Sequence, residues 1–380
     1  MRIGIMTFHA SCNCGSMLQA FALQHVLQTR YGADVEIIDY SNAEQRNLYG
    51  VLDFMPRRSA LKNDLDVLRT GAMGYVKRRN ADYKEFKTHY FNLSPKSYTK
   101  KEQLSDVAER YDLLVAGGDQ VWNVSCRDQD DAYFLDFADG SKVRKVAYSP
   151  SLGGRNINRY SPDIEHHKRL LADFERISVR EGNGQKWLQE LTGREVPIIA
   201  DPTMLLTKEE WRDALPLEDI DRDYIFYYSF SYADKRDNDA LMEVSRHLGK
   251  PVIILDGKQW KMWKLADYGI ELYPRTDPIA FLSLIDHASL VITQSFHGSV
   301  LSAVFEKPFI SINNQIGTGS EDDRAMFILS QLGLTDRYIP LDGMLGDSGS
   351  ISVDVDAVRN RCGRMRAEAF DYIDSFMGRR

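Results

Sequence analysis

At 380 residues the chain exceeds what a single hydrophobic core usually organises, so two domains of ordinary size are expected. Its 43% hydrophobic and 27% charged residues exclude general disorder. A formal net charge of -7, with no segment rich enough in Lys and Arg to track phosphates, excludes a general nucleic-acid binder; Lys77-Arg78-Arg79 and Arg379-Arg380 read as solvated charge, or at most a local membrane or glycolipid contact.

Taken in chain order, residues 2–8 read as a buried strand and 15–30 as a helix with Leu18, Phe21, Ala22 and Val26 on one face. A strand at 35–39 completes a strand-helix-strand unit, which requires parallel pairing and a right-handed crossover. This opening is Rossmann-like, yet it lacks Gly-x-Gly-x-x-Gly, so no dinucleotide cofactor is expected. His9, Cys12 and Cys14 sit together after the first strand, but Cys-x-Cys lacks the spacer of a zinc site and no second pair follows. No metal is expected, and the four cysteines read as reduced thiols.

Over 41–95 the alternation weakens into polar and basic helical stretches, the mark of a helical insertion. It resumes with strands at 111–117, 143–149 and 177–180, helices at 162–176 and 182–191, and an apolar segment at 196–202, which together place a first domain at 1–206. A polar crossing at 207–222 leads to a second domain at 223–352, with strands at 224–230, 251–256, 290–293 and 309–312 and helices at 235–248, 277–287 and 297–306. An amphipathic helix at 355–377, within a final segment 353–380, is expected to pack back on the first domain. The expected class is therefore α/β, two doubly wound Rossmann-like domains facing each other across a cleft. The opening residues do not read as a secretory signal and no apolar run is long enough to span a bilayer, so a cytoplasmic location is expected.

Three segments place polar groups at the ends of apolar strands: Gly117-Gly118-Asp119-Gln120-Val121-Trp122-Asn123, Ser178-Val179-Arg180-Glu181 and Gln294-Ser295-Phe296-His297-Gly298. In an open parallel sheet those ends share one side of the molecule. The glycines of the first permit close approach by a ligand, and Asp119 after them is expected in the crevice. Arg180 carries a planar fork suited to carboxylate or phosphate. His297 stands where a strand gives way to a helix, where first-turn N–H groups favour anions and an imidazole can move a proton near neutral pH. Arg324 lies near a helix start, where the dipole disfavours a cation, so an anionic ligand or the acids Glu321, Asp322 and Asp323 must answer it. Trp260 and Trp263, three apart beside lysines, offer faces for sugar stacking.

These segments, in order with Thr7-Phe8-His9-Ala10, Ala147-Tyr148-Ser149-Pro150 and Asp201-Pro202-Thr203-Met204, resemble the polysaccharide pyruvyl transferase family over most of the chain. The resemblance implies a fold similar to the B-type glycosyltransferases, and transfer of a pyruvyl group from phosphoenolpyruvate to sugar hydroxyls as a ketal. It implies Arg180, His297 and Arg324 around the donor with Asp119 nearby. On this scheme His297 is the acid and Asp119 the base or the orienter of the histidine, while Gly117, Gly118, Ser295 and Gly298 complete the donor-binding turns. Cys14, Gln120, Trp122, Asn123, Trp260 and Trp263 are candidate acceptor contacts. No cofactor is expected beyond phosphoenolpyruvate as donor substrate. The acceptor is a sugar or lipid-linked oligosaccharide, with peripheral membrane contact through it at the inner face. A nucleotide-sugar-dependent glycosyltransferase shares the architecture, and a non-catalytic glycan- or anion-binding protein would use the same residues without turnover.

Overall fold

The computed structural model describes residues 1–52, 58–312, 321–341 and 353–378. The domain end expected at residue 352 and the basic pair Arg379-Arg380 lie outside them. Five strands, β1 (Arg2–Met6), β2 (Asp34–Ile37), β3 (Leu113–Gly117), β4 (Arg144–Tyr148) and β5 (Arg176–Ile177), form one sheet in the order β2-β1-β3-β4-β5. Six more, β6 (Ile225–Tyr228), β7 (Val252–Ile254), β8 (Glu271–Leu272), β9 (Leu290–Thr293), β10 (Phe309–Ile312) and β11 (Tyr338–Ile339), form a second sheet in the order β11-β10-β9-β6-β7-β8. Every pair in both sheets is parallel. The molecule is thus an α/β protein of two Rossmann-like sheets with helices.

Strand order locates the ligand crevice before any side chain is considered. The first sheet reverses direction between β1 and β3, the second between β6 and β9. In open α/β sheets ligands bind outside the carboxyl ends of the strands at such a reversal. Those four strand ends carry Phe8, Asp119, Phe230 and His297, and all four residues line one cavity.

The helix Cys14–Thr29 starts where sequence periodicity puts it, but it is buried on nearly all sides rather than along one face. It packs on the first sheet and also meets the helix Pro278–His287 of the second unit, so its polar positions are covered too. One core cluster accordingly runs through both units, joining Leu18 and Val115 to Phe281 and Val291. The crossing at 207–222 is likewise more than a loose linker. Thr207 and Glu210 form a capping box for the helix Lys208–Ala214, and its Trp211 is fully buried.

Within 41–95, the successive helices Arg58–Thr70 and Met73–Tyr90 both reach the second unit. Asp82 accepts from the Thr276 hydroxyl at 2.9 Å, Arg78 donates to the Pro274 carbonyl at 3.2 Å, and Lys258 donates to Asn63 at 2.6 Å. The helix Val355–Met377 spans both units: Arg361 donates to the Leu332 carbonyl at 2.6 Å in the second, while Tyr372 donates to the Ala147 carbonyl at 2.9 Å in the first. No described helix is long and apolar enough to cross a membrane.

Candidate functional site

A cavity of about 530 Å³ opens between the two sheets. His297, Arg180, Asp119, Ser295, Gln120 and Arg324 all line it. Four segments far apart in sequence therefore converge, because the strand ends of both sheets face one another.

His297 is placed by β9 and the helix Phe296–Val304, whose N-cap Ser295 accepts from the Gly298 N–H at 3.3 Å. The imidazole is almost wholly buried, with Nε2 3.4 Å from Asp201 Oδ2 and 3.4 Å from Arg180 Nη1. Asp201 is fully buried; burial by itself raises its carboxyl, but His297 and Arg180 outweigh that and hold it far below the ordinary range. The carboxylate at the histidine is thus Asp201. Asp119, expected as the possible orienter, instead accepts a short hydrogen bond from the Ser16 hydroxyl and lies 3.5 Å from Arg180 Nη2. Asp201-Pro202-Thr203 stands in the motif series, and a polar residue after an apolar segment was the available signal. Its side chain closes locally as well, accepting from the Thr203 N–H at 3.0 Å and hydroxyl at 2.7 Å.

The other ring nitrogen of His297 faces Gly15. A Cβ at Gly15 would lie 2.1 Å from Nδ1, so the first turn of the helix Cys14–Thr29 and the histidine from the second sheet touch only because residue 15 has no side chain. Sequence reasoning did not single out Gly15. Gly15→Ala is expected to force the ring aside, at a cost of about 1–3 kcal/mol from overpacking, and to remove most activity. Turnover and the urea midpoint measure this; parent-like values in both would show that the ring has room.

Arg180 is also buried. Its Nη1 donates to Asp201 Oδ2 at 2.6 Å, its Nε lies 3.7 Å from Glu181 Oε2, and its guanidinium carbon stacks 4.3 Å from the centre of the Phe296 ring. Among the described residues neither Arg180 Nε nor Glu181 Oε2 has a hydrogen-bond partner. Burial pushes the Glu181 carboxyl up to about 7 against the opposing pull of Arg180 and Arg324. A carboxyl raised from 4.5 costs nothing below that pH and carries its full ionisation penalty, on the order of 3 kcal/mol, above about 7. Stability is therefore lost as pH rises from 4.5 to 7 through this group. Calorimetric melting of the parent and of Glu181→Gln at both ends of that window should show a smaller fall in the variant, and equal falls would acquit Glu181.

Arg324 begins the helix Arg324–Leu332, and the acids before it do answer it: Asp322 accepts at 2.8 Å from Nε and at 2.6 Å from Nη2. Burial opposes its charge, yet the Asp322 pair raises its pKa further.

Several expected contacts are corrected by packing. Gly118 has φ +66 and a Cβ there would sit 1.6 Å from Gln19 Oε1, while one on Gly117 would meet Leu23 at 3.1 Å. A Cβ on Gly298 would lie 2.3 Å from Thr293 Oγ1. These three glycines serve close internal contacts and do not line the cavity. Trp122 is fully buried, its Nε1 donating to the Tyr133 carbonyl at 3.0 Å and its ring stacked on Phe134, so it is core. Asn123 braces the same turn by donating to Gln120 Oε1 at 3.0 Å. Cys14 is buried against the Tyr83 hydroxyl at 2.8 Å, and burial pushes its thiol well up. Trp260 donates to the Ile270 carbonyl at 2.8 Å, and Trp263 is exposed but outside the cavity lining. His9 is buried, with one nitrogen 2.9 Å from Asp39 and the other 3.1 Å from the Thr7 carbonyl.

The apolar run at 224–230 predicts Phe230 as the end of a strand, but β6 stops at Tyr228 and leaves Phe230 in the loop beyond it. It follows β6 by two residues, lines the cavity, and is 61% exposed, beside Asp234 and Asp237. An aromatic face flanked by carboxylates suits a sugar ring, whose C–H face stacks and whose hydroxyls donate.

A sequence profile of the polysaccharide pyruvyl transferase family matches residues 13–316. No curated protein matches the chain. Among solved structures, a UDP-N-acetylglucosamine 2-epimerase is similar with a TM-score of 0.52 and 12% identity, covering 100% of this chain and 96% of its own. S. aureus MnaA, solved with UDP, is similar with a TM-score of 0.51 and 13% identity, covering 100% of this chain and 98% of its own. At such identities the likeness concerns the fold, that of the B-type glycosyltransferases and related epimerases.

Proposed function

Because the chain belongs to the polysaccharide pyruvyl transferase family, we propose that it transfers a pyruvyl group from phosphoenolpyruvate to hydroxyls of a sugar in a surface polysaccharide or its lipid-linked precursor, forming a ketal. The observation that carries this reading is His297, a buried imidazole held between Asp201 and Arg180 at the wall of the cavity. Ketal formation needs a proton delivered to the methylene carbon of the donor while positive charge develops at the adjacent carbon. One sugar oxygen attacks that carbon, and a second replaces phosphate there. His297 delivers the proton and Asp201 steadies the ring. Arg180 and Arg324 hold the donor's carboxylate and phosphate, Arg324 by exchanging its Asp322 partner for the incoming anion. Asp119 takes the hydroxyl proton, and Phe230 with Asp237 receives the acceptor ring. The scheme uses side chains throughout and calls on no cofactor.

The test is release of inorganic phosphate from phosphoenolpyruvate, with mass spectrometry of a lipid-linked oligosaccharide panel for a pyruvyl increment. Release only with a suitable acceptor is expected. Transfer from a nucleotide sugar and never from phosphoenolpyruvate would replace this reading with a glycosyltransferase. Tight anion binding without turnover on any donor would leave a binding protein.

A further inference from the structure

The helix Arg58–Thr70 carries an apolar strip that the fold does not cover. Leu61, Leu65 and Leu68 are 57%, 49% and 57% exposed, although most large apolar side chains of the described residues are buried. At 3.6 residues per turn they fall within an arc of about 60° on the outer face of their helix. The inner face is accounted for. Val67 is buried with Ala72 and Val76, and Asn63 accepts from Lys258 of the second unit.

Next to the leucines on the same turns stand Lys62 and Arg69, both exposed. Asp64 and Asp66 flank the arc only as partly buried side chains. In a chain of net charge -7, the strip of leucines thus has cations along one edge. Leucines on one side with Lys and Arg at their border is the pattern of a helix lying in the headgroup region of an anionic bilayer. A protein partner would not require that cationic edge.

We infer that the outer face of Arg58–Thr70 docks on an anionic lipid surface, with Leu61, Leu65 and Leu68 entering the headgroup boundary and Lys62 and Arg69 meeting lipid phosphates. The following helix, Met73–Tyr90, is tied to the cavity rim, since Asn80 donates to the Tyr49 carbonyl at 3.0 Å and both Tyr49 and the exposed Leu48 line the cavity. That the membrane delivers the sugar acceptor rests on the function proposed above; adsorption does not.

The test is sedimentation of the full chain with phosphatidylcholine vesicles, with and without phosphatidylglycerol. Binding to the anionic vesicles alone, weakened by high salt, is expected. Leu61→Ser/Leu65→Ser/Leu68→Ser should bind roughly tenfold or more weakly, and Lys62→Glu/Arg69→Glu should lose the preference for anionic lipid. Both variants should keep the parent's circular dichroism and its phosphate release with a water-soluble acceptor. Absence of vesicle binding by the parent, equal binding by the triple variant, or a parent dimer in sedimentation equilibrium that the triple variant abolishes would overturn the inference. Vesicle binding without turnover on any acceptor would instead count against the proposed reaction and leave the docking face standing.

Discussion

Replacing His297 with alanine should lower turnover by roughly a hundredfold or more while leaving donor affinity close to the parent's. The reason is its position. Nε2 lies 3.4 Å from both Asp201 and Arg180, so in the proposed reaction the ring passes the proton while the arginine beside it holds the donor's charge. Removing the ring leaves Arg180 still bonded to Asp201 at 2.6 Å, and the anion site keeps its shape. Single-turnover rates alongside calorimetric donor titration separate the two effects. Parent-like turnover in the variant would remove His297 from the chemistry, and a matching loss of binding would make it a contact rather than an acid.

Arg180→Lys should do the reverse and more. Lysine keeps the charge but has one ammonium in place of a planar fork, so it cannot satisfy Asp201 while also reaching toward Asp119 and Glu181. All three carboxylates are buried, and leaving buried charge poorly compensated costs on the order of 3 kcal/mol. The variant should therefore unfold at lower denaturant and, where still folded, bind phosphoenolpyruvate at least tenfold more weakly with His297 intact. Urea midpoints give the first effect and calorimetry at low temperature the second. An unchanged midpoint would mean the carboxylates do not depend on the fork, and unchanged donor affinity would make Arg180 purely structural.

The two variants differ because of how the site is built. For Arg180 and Arg324 the sequence leaves open an anionic ligand or a neighbouring carboxylate, and the structure shows each held by carboxylates, Arg180 by Asp201 and Arg324 by both oxygens of Asp322. Such pairing depends on which loops meet across the cleft. No spacing along the chain reports it, as the 117 residues between Arg180 and His297 illustrate.

What the sequence by itself determined is the local architecture wherever periodicity is long or punctuation strong. Strands β9 and β10 fall where their apolar runs stand. The helix Lys235–Leu248 matches its expected bounds because Asp234 caps its start and Gly249, at φ +64, ends it. Val355–Met377 matches its expected bounds through a sustained amphipathic repeat. The two-residue strands β8 and β11 went unread, since two residues carry no period. Only the tertiary structure decided which polar residue meets which, and which aromatic is open. Trp122 and Phe230 both follow apolar strands at the cleft side, but one is sealed under Phe134 and the other faces the cavity. Asp201 rather than Asp119 reaches His297, and Gly15 makes room for its ring. Secondary structure follows from interactions within a few residues, whereas these choices follow from how two sheets, each already specified, face one another across the cleft.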